Sequence, residues 1–336
     1  MRIVVFGPDK RVGLLQGNRV LDVNNAVRTL LTNKLGAQAA ALQAARDAPP
    51  DLCAFIEAGP GALDLAQAAA AQVDQSVDPS LSVPLESAGI SAPWPGRRIA
   101  CAGANYAEHI ARVMANMGQP PTTREEIERD WRSAGLQGFW KVPHEVIGDR
   151  GSITFPARST RLDYEAEVAI VVGKKGKDIP VEDAAQYIWG VTLFNDWTDR
   201  DALRPLKLPL SFNFAKNFDC STSLGPCICV RELDPQDVPV SLTVGGQLRQ
   251  SFRTGDMIFS FAEFIAGLSR DFTLLPGDVI AGGTGAGTAM DSSQYDANRR
   301  SSPDLFLKVG DEVEISSPAI GALRNRIVAK ERGDPG

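Results

Sequence analysis

The sequence predicts an α+β fold that is rich in β-strands, with a small α/β domain at its N-terminus. From residue 98 onward, short Val- and Ile-rich runs alternate with Gly, Pro and Asp turns, which predicts many short strands. Residues 36–75 are rich in alanine at helical spacing, and the chain lacks the regular strand–helix alternation of a doubly wound parallel sheet. Because 336 residues exceed the usual size of one domain, we expect one large domain with a smaller appendage.

The N-terminal part of the chain differs in character from the rest. Residues 1–28 contain short β-like runs separated by turn residues, which predicts two or three strands joined by hairpins. The alanine-rich segments that follow are strong helix formers. A Pro- and Ser-containing passage then has the composition of an extended connector. We therefore place the small domain at residues 1–80, the connector at 81–97 and the main domain at 98–333.

Composition and charge exclude several classes of function. Apolar residues make up 43% and charged residues 23% of the chain, as in folded globular proteins. The net charge of -6 comes without a basic stripe, so we expect no nucleic-acid partner. No apolar run reaches membrane-spanning length and the first residues lack a signal-peptide core, so we expect no membrane partner and a cytoplasmic location. The five cysteines lack paired C-x-x-C spacing, which argues against a disulfide framework or a zinc ribbon.

The segment Asp163–Gly173 is a β-branched strand that begins with several carboxylates. Since side chains alternate along a strand, Glu165 and Glu167 share one face. Two neighbouring like charges destabilise a strand unless something neutralises them, and a hard divalent cation that takes oxygen ligands does so. For this pair alone, a solvated strand edge is the alternative interpretation.

A third carboxylate, Asp196, ends the apolar strand of the segment YIWGVTLFND and can meet the glutamate pair in space. Three carboxylates with open positions for water and substrate favour Mg²⁺ or Mn²⁺ over zinc, and Ca²⁺ could take the same site in crystals. His109 and His144 are the only histidines, which excludes a multi-histidine zinc site.

Six short motifs follow one another in order over roughly residues 82–330: GANYAEH, DYEAEVAIVVGKKG, FNDWTDRD, KNFDCSTSLGP, LLPGDVIAGGTGAG and LKVGDEVEISSPAIGALRN. In these motifs the chain resembles the fumarylacetoacetate hydrolase superfamily. The resemblance implies a mixed β-roll catalytic domain, a homodimer, and a Mg²⁺ or Mn²⁺ ion held by Glu165, Glu167 and Asp196. Residues 1–75 resemble the variable small N-terminal domain.

The resemblance also implies roles for residues that contact the substrate. Lys216 resembles the family lysine that contacts the substrate carboxylate or enolate oxygen, and Thr284 resembles the threonine that contacts the bound 2-oxo acid. An ammonium group and a hydroxyl donor beside a metal would neutralise a developing enolate. Tyr106 and Arg200 are further candidates for substrate binding, with a structural pair between Arg200 and Asp201 as the alternative.

His109 is the candidate general base, because a neutral imidazole can activate water or move a proton near pH 7. Many members of the family carry H-x-x-E on this helix, whereas this chain has Arg112 at the glutamate position. An arginine on the same face would disfavour the imidazolium. Either another carboxylate, such as Glu108 or one from residues 123–131, supplies the missing partner, or Arg112 binds a second carboxylate of the substrate.

The segment around residues 107–140 is longer than the family minimum and predicts an extended lid. Thr123 and Glu126 have the spacing of a capping box, which predicts the start of a charged helix that ends near Trp131. Lids exclude water and select substrates. We therefore expect this insertion to carry substrate specificity.

Together these features predict a metal-dependent hydrolase that acts on a small carboxylate. It would cleave a C–C bond in an acylpyruvate-like 2,4-diketo acid, with attack by a His109-activated water and departure of a metal-stabilised enolate. A decarboxylase, isomerase, hydratase or dehydratase that uses the same metal site is the alternative enzyme. A non-catalytic homologue that binds metal or ligand is the alternative from another class, because the usual histidine–glutamate pair is absent.

Overall fold

The computed structural model describes residues 1–72, 79–203, 211–295, 301–302 and 304–330. Residues 73–75 of the predicted helical region and 331–333 of the predicted main domain lie outside the described residues. The strands are β1 (Arg2–Phe6), β2 (Arg11–Gln16), β3 (Arg19–Asp22), β4 (Ser82–Pro84), β5 (Ile90–Ser91), β6 (Ile99–Ala102), β7 (Gly138–Lys141), β8 (Ser152–Thr154), β9 (Leu162–Asp163), β10 (Ala166–Val172), β11 (Ile188–Asp196), β12 (Thr198–Asp199), β13 (Thr222–Cys229), β14 (Pro239–Val244), β15 (Gln247–Arg253), β16 (Val279–Ala281), β17 (Gln294–Tyr295), β18 (Ser301–Ser302), β19 (Glu312–Ser317) and β20 (Gly321–Val328). The α-helices are α1 (Val23–Leu35), α2 (Ala37–Asp47), α3 (Leu52–Glu57), α4 (Pro60–Gln72), α5 (Ala107–Asn116), α6 (Arg124–Ala134), α7 (Ser211–Lys216), α8 (Phe261–Ser269) and α9 (Ala289–Ser292).

Two mixed β-sheets form the framework of the described chain. The larger runs β4-β3-β2-β1-β13-β11-β10-β16-β6-β7, with β5 beside β1, and the smaller runs β15-β14-β19-β20-β8. The pairs β16–β6 and β20–β8 are parallel, whereas β10 pairs antiparallel with both of its neighbours. This topology confirms the α+β class. None of the helices in the described ranges is long and apolar enough to cross a lipid bilayer.

The N-terminal strands extend the larger sheet, because β1 pairs antiparallel with β13. Strands β1, β2 and β3 confirm the predicted N-terminal hairpins, but residues 23–28 belong to helix α1, so the prediction of strands up to residue 28 was wrong there. The Asp22 side chain accepts the Asn25 N–H at 3.0 Å and thereby begins this helix. Strand β3 therefore ends at the residue that caps helix α1.

Strand β10 lies inside the larger sheet and is buried on both faces. Val168 and Ile170 pack into one apolar cluster, whereas Ala169 and Val171 pack into the other. The carboxylates at the start of this strand are therefore carried into the protein interior, where charge interactions are stronger than in water.

Helices α5 and α6 make up much of the predicted lid segment. The capping box of α6 is confirmed: Thr123 accepts the Glu126 N–H at 3.3 Å, and the Glu126 carboxylate accepts the Thr123 N–H at 2.9 Å. The helix ends at Ala134, later than predicted, where Gly135 follows at a φ of 86°. An ion pair of 2.8 Å between Arg132 and Glu263 ties α6 to α8.

Candidate active site

Three buried carboxylates meet where β10 and β11 run side by side. Ala166 pairs with Asn195 across the two strands, which places the flanking glutamates close to Asp196. One carboxylate oxygen each from Glu165, Glu167 and Asp196 lies within 4.8 Å of the others. The structure thus brings together the three residues that the sequence predicts as metal ligands.

Two buried lysines contact this acidic triad. Lys216, at the end of α7, places Nζ 2.5 Å from Glu165 Oε2 and 2.7 Å from Asp196 Oδ2. Lys141, at the end of β7, places Nζ 2.5 Å from Asp196 Oδ1 and also donates to the Ser221 carbonyl at 2.9 Å. Lys216 was predicted from the sequence, whereas Lys141 was not, because its only local signal is a charge that ends an apolar strand.

Arg200 bridges two carboxylates of the site. Its Nη2 lies 2.5 Å from Glu165 Oε1, and its Nε donates to Asp163 Oδ2 at 2.9 Å. The alternative pair between Arg200 and Asp201 was wrong, because Asp201 accepts from Arg161 Nε at 2.9 Å. Successive side chains of an extended segment point to opposite sides, so the two neighbours reach different partners. A substrate contact for Arg200, which is 6% exposed, stays a prediction.

The electrostatic surroundings of the two glutamates differ. Burial alone would raise the pKa of Glu165, but the cations Lys216 and Arg200 outweigh burial and lower that pKa below its usual range. Burial, together with the negative charges of Asp196 and Glu165, raises the pKa of Glu167 well above its usual range. Glu165 is therefore compensated by protein cations to a degree that Glu167 is not.

Glu167 provides a test of whether the triad suits a metal ion. Within the described chain its carboxylate forms no ion pair, and it accepts the Gly283 N–H at 2.9 Å. A buried carboxylate without an adjacent cation is costly, and a divalent cation would supply the missing charge. The donor set consists of carboxylate oxygens, which suit Mg²⁺ or Mn²⁺ rather than zinc. The residues present fit a hard divalent cation.

His109 lies in the first turn of α5 and is 7% exposed. Its Nδ1 lies 2.6 Å from Asp291 Oδ2, and the same carboxylate accepts the Gly287 N–H at 3.0 Å. An ionised carboxylate can only accept a hydrogen bond, so in the neutral imidazole this contact favours the proton on Nδ1 and leaves on Nε2 the lone pair that a base needs. If the ring is protonated, His109 is close enough to the triad for the imidazolium charge to lower the pKa of Glu165.

Asp291 is the carboxylate that pairs with His109, whose own helix carries Arg112 where many members of the resembled family have a glutamate. The expectation that another carboxylate would partner His109 is confirmed, whereas the candidates named for it, Glu108 and the carboxylates of residues 123–131, were wrong. Asp291 lies 182 residues from His109 in sequence, so no helical spacing rule reveals the pair. The one available signal was an acidic residue close behind the glycine-rich motif.

Thr284 belongs to a hydrogen-bond network around Ala166, the residue between the two glutamates. Its hydroxyl donates to the Ala166 carbonyl at 2.8 Å and accepts from Gln250 Nε2 at 2.8 Å. Gln250 Oε1 accepts the Ala166 N–H at 3.0 Å, so both backbone groups of Ala166 are bonded. Gln250 was not predicted from the sequence. The Thr284 hydroxyl donates its proton to Ala166 in this structure, so its predicted contact with the substrate stays a prediction.

Tyr106 and Arg112 occupy different surroundings. Tyr106 is 3% exposed and packs edge-on against Phe252 with ring centroids 5.1 Å apart, and its hydroxyl has no hydrogen-bond partner among the described residues. Arg112 is half-exposed, and its Nη2 lies 2.6 Å from Glu108 Oε1. A substrate contact for Tyr106 stays a prediction, and binding of a second substrate carboxylate by Arg112 stays an untested alternative.

Residues 98–328 match the family model described as fumarylacetoacetate (FAA) hydrolase C-terminal. The oxaloacetate tautomerase YisK of Bacillus subtilis is 33% identical over 238 residues, which cover 70% of this chain and 71% of that protein. The mitochondrial oxaloacetate tautomerase Fahd2a of Rattus norvegicus is 30% identical and covers 83% of this chain and 80% of its own length. The solved structure of fumarylacetoacetate hydrolase from Exiguobacterium antarcticum is 27% identical, with a TM-score of 0.71 over 98% of this chain and all of that one. The chain therefore belongs to the fumarylacetoacetate hydrolase family and is an enzyme of that family.

Proposed function

We propose that the chain catalyses the keto–enol tautomerisation of a small 2-oxo dicarboxylate of the oxaloacetate type. The observation that carries this proposal is the buried pair of His109 and Asp291, 2.6 Å apart, beside the acidic triad. Tautomerisation needs a base that moves a proton and a charged centre that stabilises negative charge on the carbonyl oxygen. Two relatives that are at least 30% identical to the chain bear the name oxaloacetate tautomerase, which supports the choice of reaction.

The chain's own residues would divide the work of binding and charge stabilisation. Glu165, Glu167 and Asp196 would hold Mg²⁺ or Mn²⁺, which supplies Lewis-acid polarisation of the 2-oxo group. The ammonium of Lys216, 2.5 Å from Glu165 Oε2, would add a fixed positive charge at the same place. Burial of Lys216, which is 3% exposed, strengthens this charge effect because little water screens it.

The proton transfers follow from the hydrogen bonds of His109. Its Nε2 takes a proton from the carbon next to the carbonyl, while Asp291 holds the ring and stabilises the imidazolium. Water gives a proton to the carbonyl oxygen and the imidazolium returns its proton to water, while Lys216, whose ammonium donates to Glu165, Asp196 and Thr198, stays charged. One C–H bond breaks and one O–H bond forms, so the substrate gains and loses no atom. The reverse reaction uses the same groups.

Hydrolysis of a C–C bond, the reaction favoured by the sequence analysis, is the second candidate. The likeness to the Exiguobacterium antarcticum fumarylacetoacetate hydrolase extends over 98% of this chain at 27% identity, which favours it. In that reaction His109 would take a proton from water, and the water oxygen would bond to the distal carbonyl carbon of a 2,4-diketo acid. The C–C bond then breaks, and the carbon of the leaving group takes up the proton.

The test compares the two reactions in the metal-loaded protein. We expect faster interconversion of enol and keto oxaloacetate, followed by ultraviolet absorbance, and exchange of the methyl protons of pyruvate in deuterated water, followed by NMR. His109→Gln should lower both rates by about 10²- to 10⁴-fold, whereas the matched variant His144→Gln, at an exposed position, should keep them. Hydrolysis of acylpyruvates without acceleration of oxaloacetate tautomerisation would replace the first candidate with the second.

The assembly state is a further part of the proposal. The family resemblance favours a two-fold symmetric homodimer, which is also the commonest soluble oligomer. Light scattering at micromolar concentration tests this, and a strictly monomeric mass would contradict it.

A further inference from the structure

One buried carboxylate beside the triad has no part in the proton transfers described above. Asp163 is 0% exposed and lies close to Glu165 in sequence, yet it is not among the three residues whose carboxylate oxygens lie within 4.8 Å of one another. Burying a carboxylate destabilises a protein unless N–H donors or cations compensate the charge. The partners of Asp163 therefore indicate its role.

The first set of partners belongs to the backbone of α9. Asp163 Oδ1 accepts the Ala289 N–H at 2.8 Å, and Oδ2 accepts the Met290 N–H at 3.0 Å. A helix of only four residues is not stable in isolation, because its nucleus fixes more backbone angles than its hydrogen bonds compensate. Asp163 thus holds the short segment from which Asp291 reaches His109.

The second set of partners leads to the metal-ligand cluster. Arg200 donates from Nε to Asp163 Oδ2 at 2.9 Å, and its Nη2 lies 2.5 Å from Glu165 Oε1. A planar guanidinium that spans two carboxylates fixes their relative position more firmly than an ammonium would. The orientation of the Glu165 carboxylate therefore depends on Asp163 through one side chain.

We infer that Asp163 is a positioning residue that couples the base to the metal-ligand cluster. Through Ala289 and Met290 it holds the segment of Asp291, and through Arg200 it orients Glu165. Asp163 itself touches neither metal nor substrate in this role. The inference rests on the proposed function only in taking His109 as the base.

The variant Asp163→Asn keeps the shape of the side chain but removes its charge and one acceptor oxygen. Asp278→Asn is a matched control, because Asp278 is also a buried carboxylate that pairs with an arginine and accepts a backbone N–H. It is 1% exposed, accepts from Arg98 Nε at 3.0 Å and accepts the Leu275 N–H at 2.8 Å. Both variants should lower the melting temperature, so stability alone does not distinguish the roles.

Two readouts separate positioning from a merely structural role. The chain has only two histidines, so ¹⁵N NMR of the metal-free protein reports the tautomer of His109 with His144 as an internal reference. In the unsubstituted protein and in Asp278→Asn we expect a proton on Nδ1 of neutral His109, and in Asp163→Asn a mixture of tautomers. Calorimetry should show Mn²⁺ binding weakened about 10- to 100-fold in Asp163→Asn and unchanged in Asp278→Asn.

Unchanged His109 shifts and unchanged Mn²⁺ affinity in folded Asp163→Asn would overturn the inference. If Asp163→Asn does not fold, Ala289→Pro provides the second test, because proline is accepted at a first helical position and removes one N–H bonded to Asp163. This variant should give mixed His109 tautomers with unchanged Mn²⁺ affinity, and an unchanged tautomer would again overturn the inference. Neither the tautomer measurement nor the Mn²⁺ titration needs turnover. If the protein does not accelerate oxaloacetate tautomerisation, these two measurements still test the role of Asp163.

Discussion

Two segments beside the site, residues 107–140 and residues 282–292, differ in how their polar groups find partners. In the first, which the sequence analysis interpreted as a specificity lid, exposed charges pair within one helical turn: Arg112 with Glu108 and Arg124 with Glu128, each at 2.6 Å. Such exposed pairs contribute little to stability because water screens them. Two arginines of the segment also pair outside it, Arg124 with Asp256 and Arg132 with Glu263, and none of these exposed charges pairs with the triad in the described part of the chain.

In residues 282–292 the polar groups serve the site itself. Gly283 donates its N–H to Glu167 at 2.9 Å, and Asp291 contacts His109 at 2.6 Å. Glycines let the backbone approach its neighbours closely, and buried N–H groups must find acceptors. The comparison shows that a buried backbone N–H and a carboxylate remote in sequence complete the site. The exposed charges of the helices do not indicate where the site lies.

The largest effect on activity should come from changes to the triad of Glu165, Glu167 and Asp196, which lies beside both segments. Glu167→Ala should abolish Mn²⁺ binding and activity, because it removes one of the three carboxylates that we propose as metal ligands. Exhaustive chelation of the unsubstituted protein should have the same effect, reversed when Mn²⁺ is added back. Calorimetry and metal analysis measure the first result, and normal metal content in Glu167→Ala would contradict the assignment.

The next largest effect should distinguish the buried pair of His109 and Asp291 from the exposed pair of Arg112 and Glu108. His109→Gln should lower kcat by about 10²- to 10⁴-fold, and Asp291→Asn should lower it by a similar factor, since the first removes the proposed base and the second removes the carboxylate that would orient it. Metal content should stay intact. The matched variant Glu108→Gln should leave kcat unchanged, because Glu108 contacts only exposed Arg112 in the described hydrogen bonds. Full activity in Asp291→Asn would contradict the conclusion that residues 282–292 complete the site.

Glycine variants test the backbone of the two segments. In Gly287→Ala the new Cβ would lie 2.0 Å from the Arg249 carbonyl oxygen at a φ of 109°, whereas Gly118 has a φ of 76° and open space around it. We expect Gly118→Ala to lower the free energy of unfolding by about 1–2 kcal/mol. Gly287→Ala should cost about 1–3 kcal/mol for the backbone conformation and a similar amount for the overlap.

Denaturant unfolding of both variants, with kcat as a second readout, measures this difference. Gly287→Ala should also lower kcat, because Gly287 donates its N–H to Asp291. Equal destabilisation of the two variants would show that the buried segment adapts as readily as the exposed one.

The smallest effect is expected for Arg112→Ala. Its exposed pair with Glu108 should contribute less than about 0.5 kcal/mol to stability. We expect KM to stay unchanged for monocarboxylate and dicarboxylate substrates, as steady-state kinetics would show. A KM raised only for dicarboxylates would instead support the sequence-based hypothesis that Arg112 binds a second carboxylate, and would make the lid a binding element.

The sequence by itself determined the features that depend on near neighbours. The alternation of side chains along one strand placed Glu165 and Glu167 together, and the strand pattern placed Asp196 at a strand end. The spacing of Thr123 and Glu126 predicted the start of α6. The α+β class followed from many short strands without regular βα units. Helix α1 was missed because its cap, Asp22, also ends a strand-like run.

Only the tertiary structure decided which distant groups complete the site. Asp291 reaches His109 across 182 residues, and Lys141 reaches Asp196 across 55, distances in sequence at which no periodicity applies. Arg200 pairs with Asp163 and Glu165 and not with its neighbour Asp201, because buried carboxylates need a cation to compensate their charge. Local patterns report the geometry of one element, whereas the pairing of buried charges depends on how the elements pack.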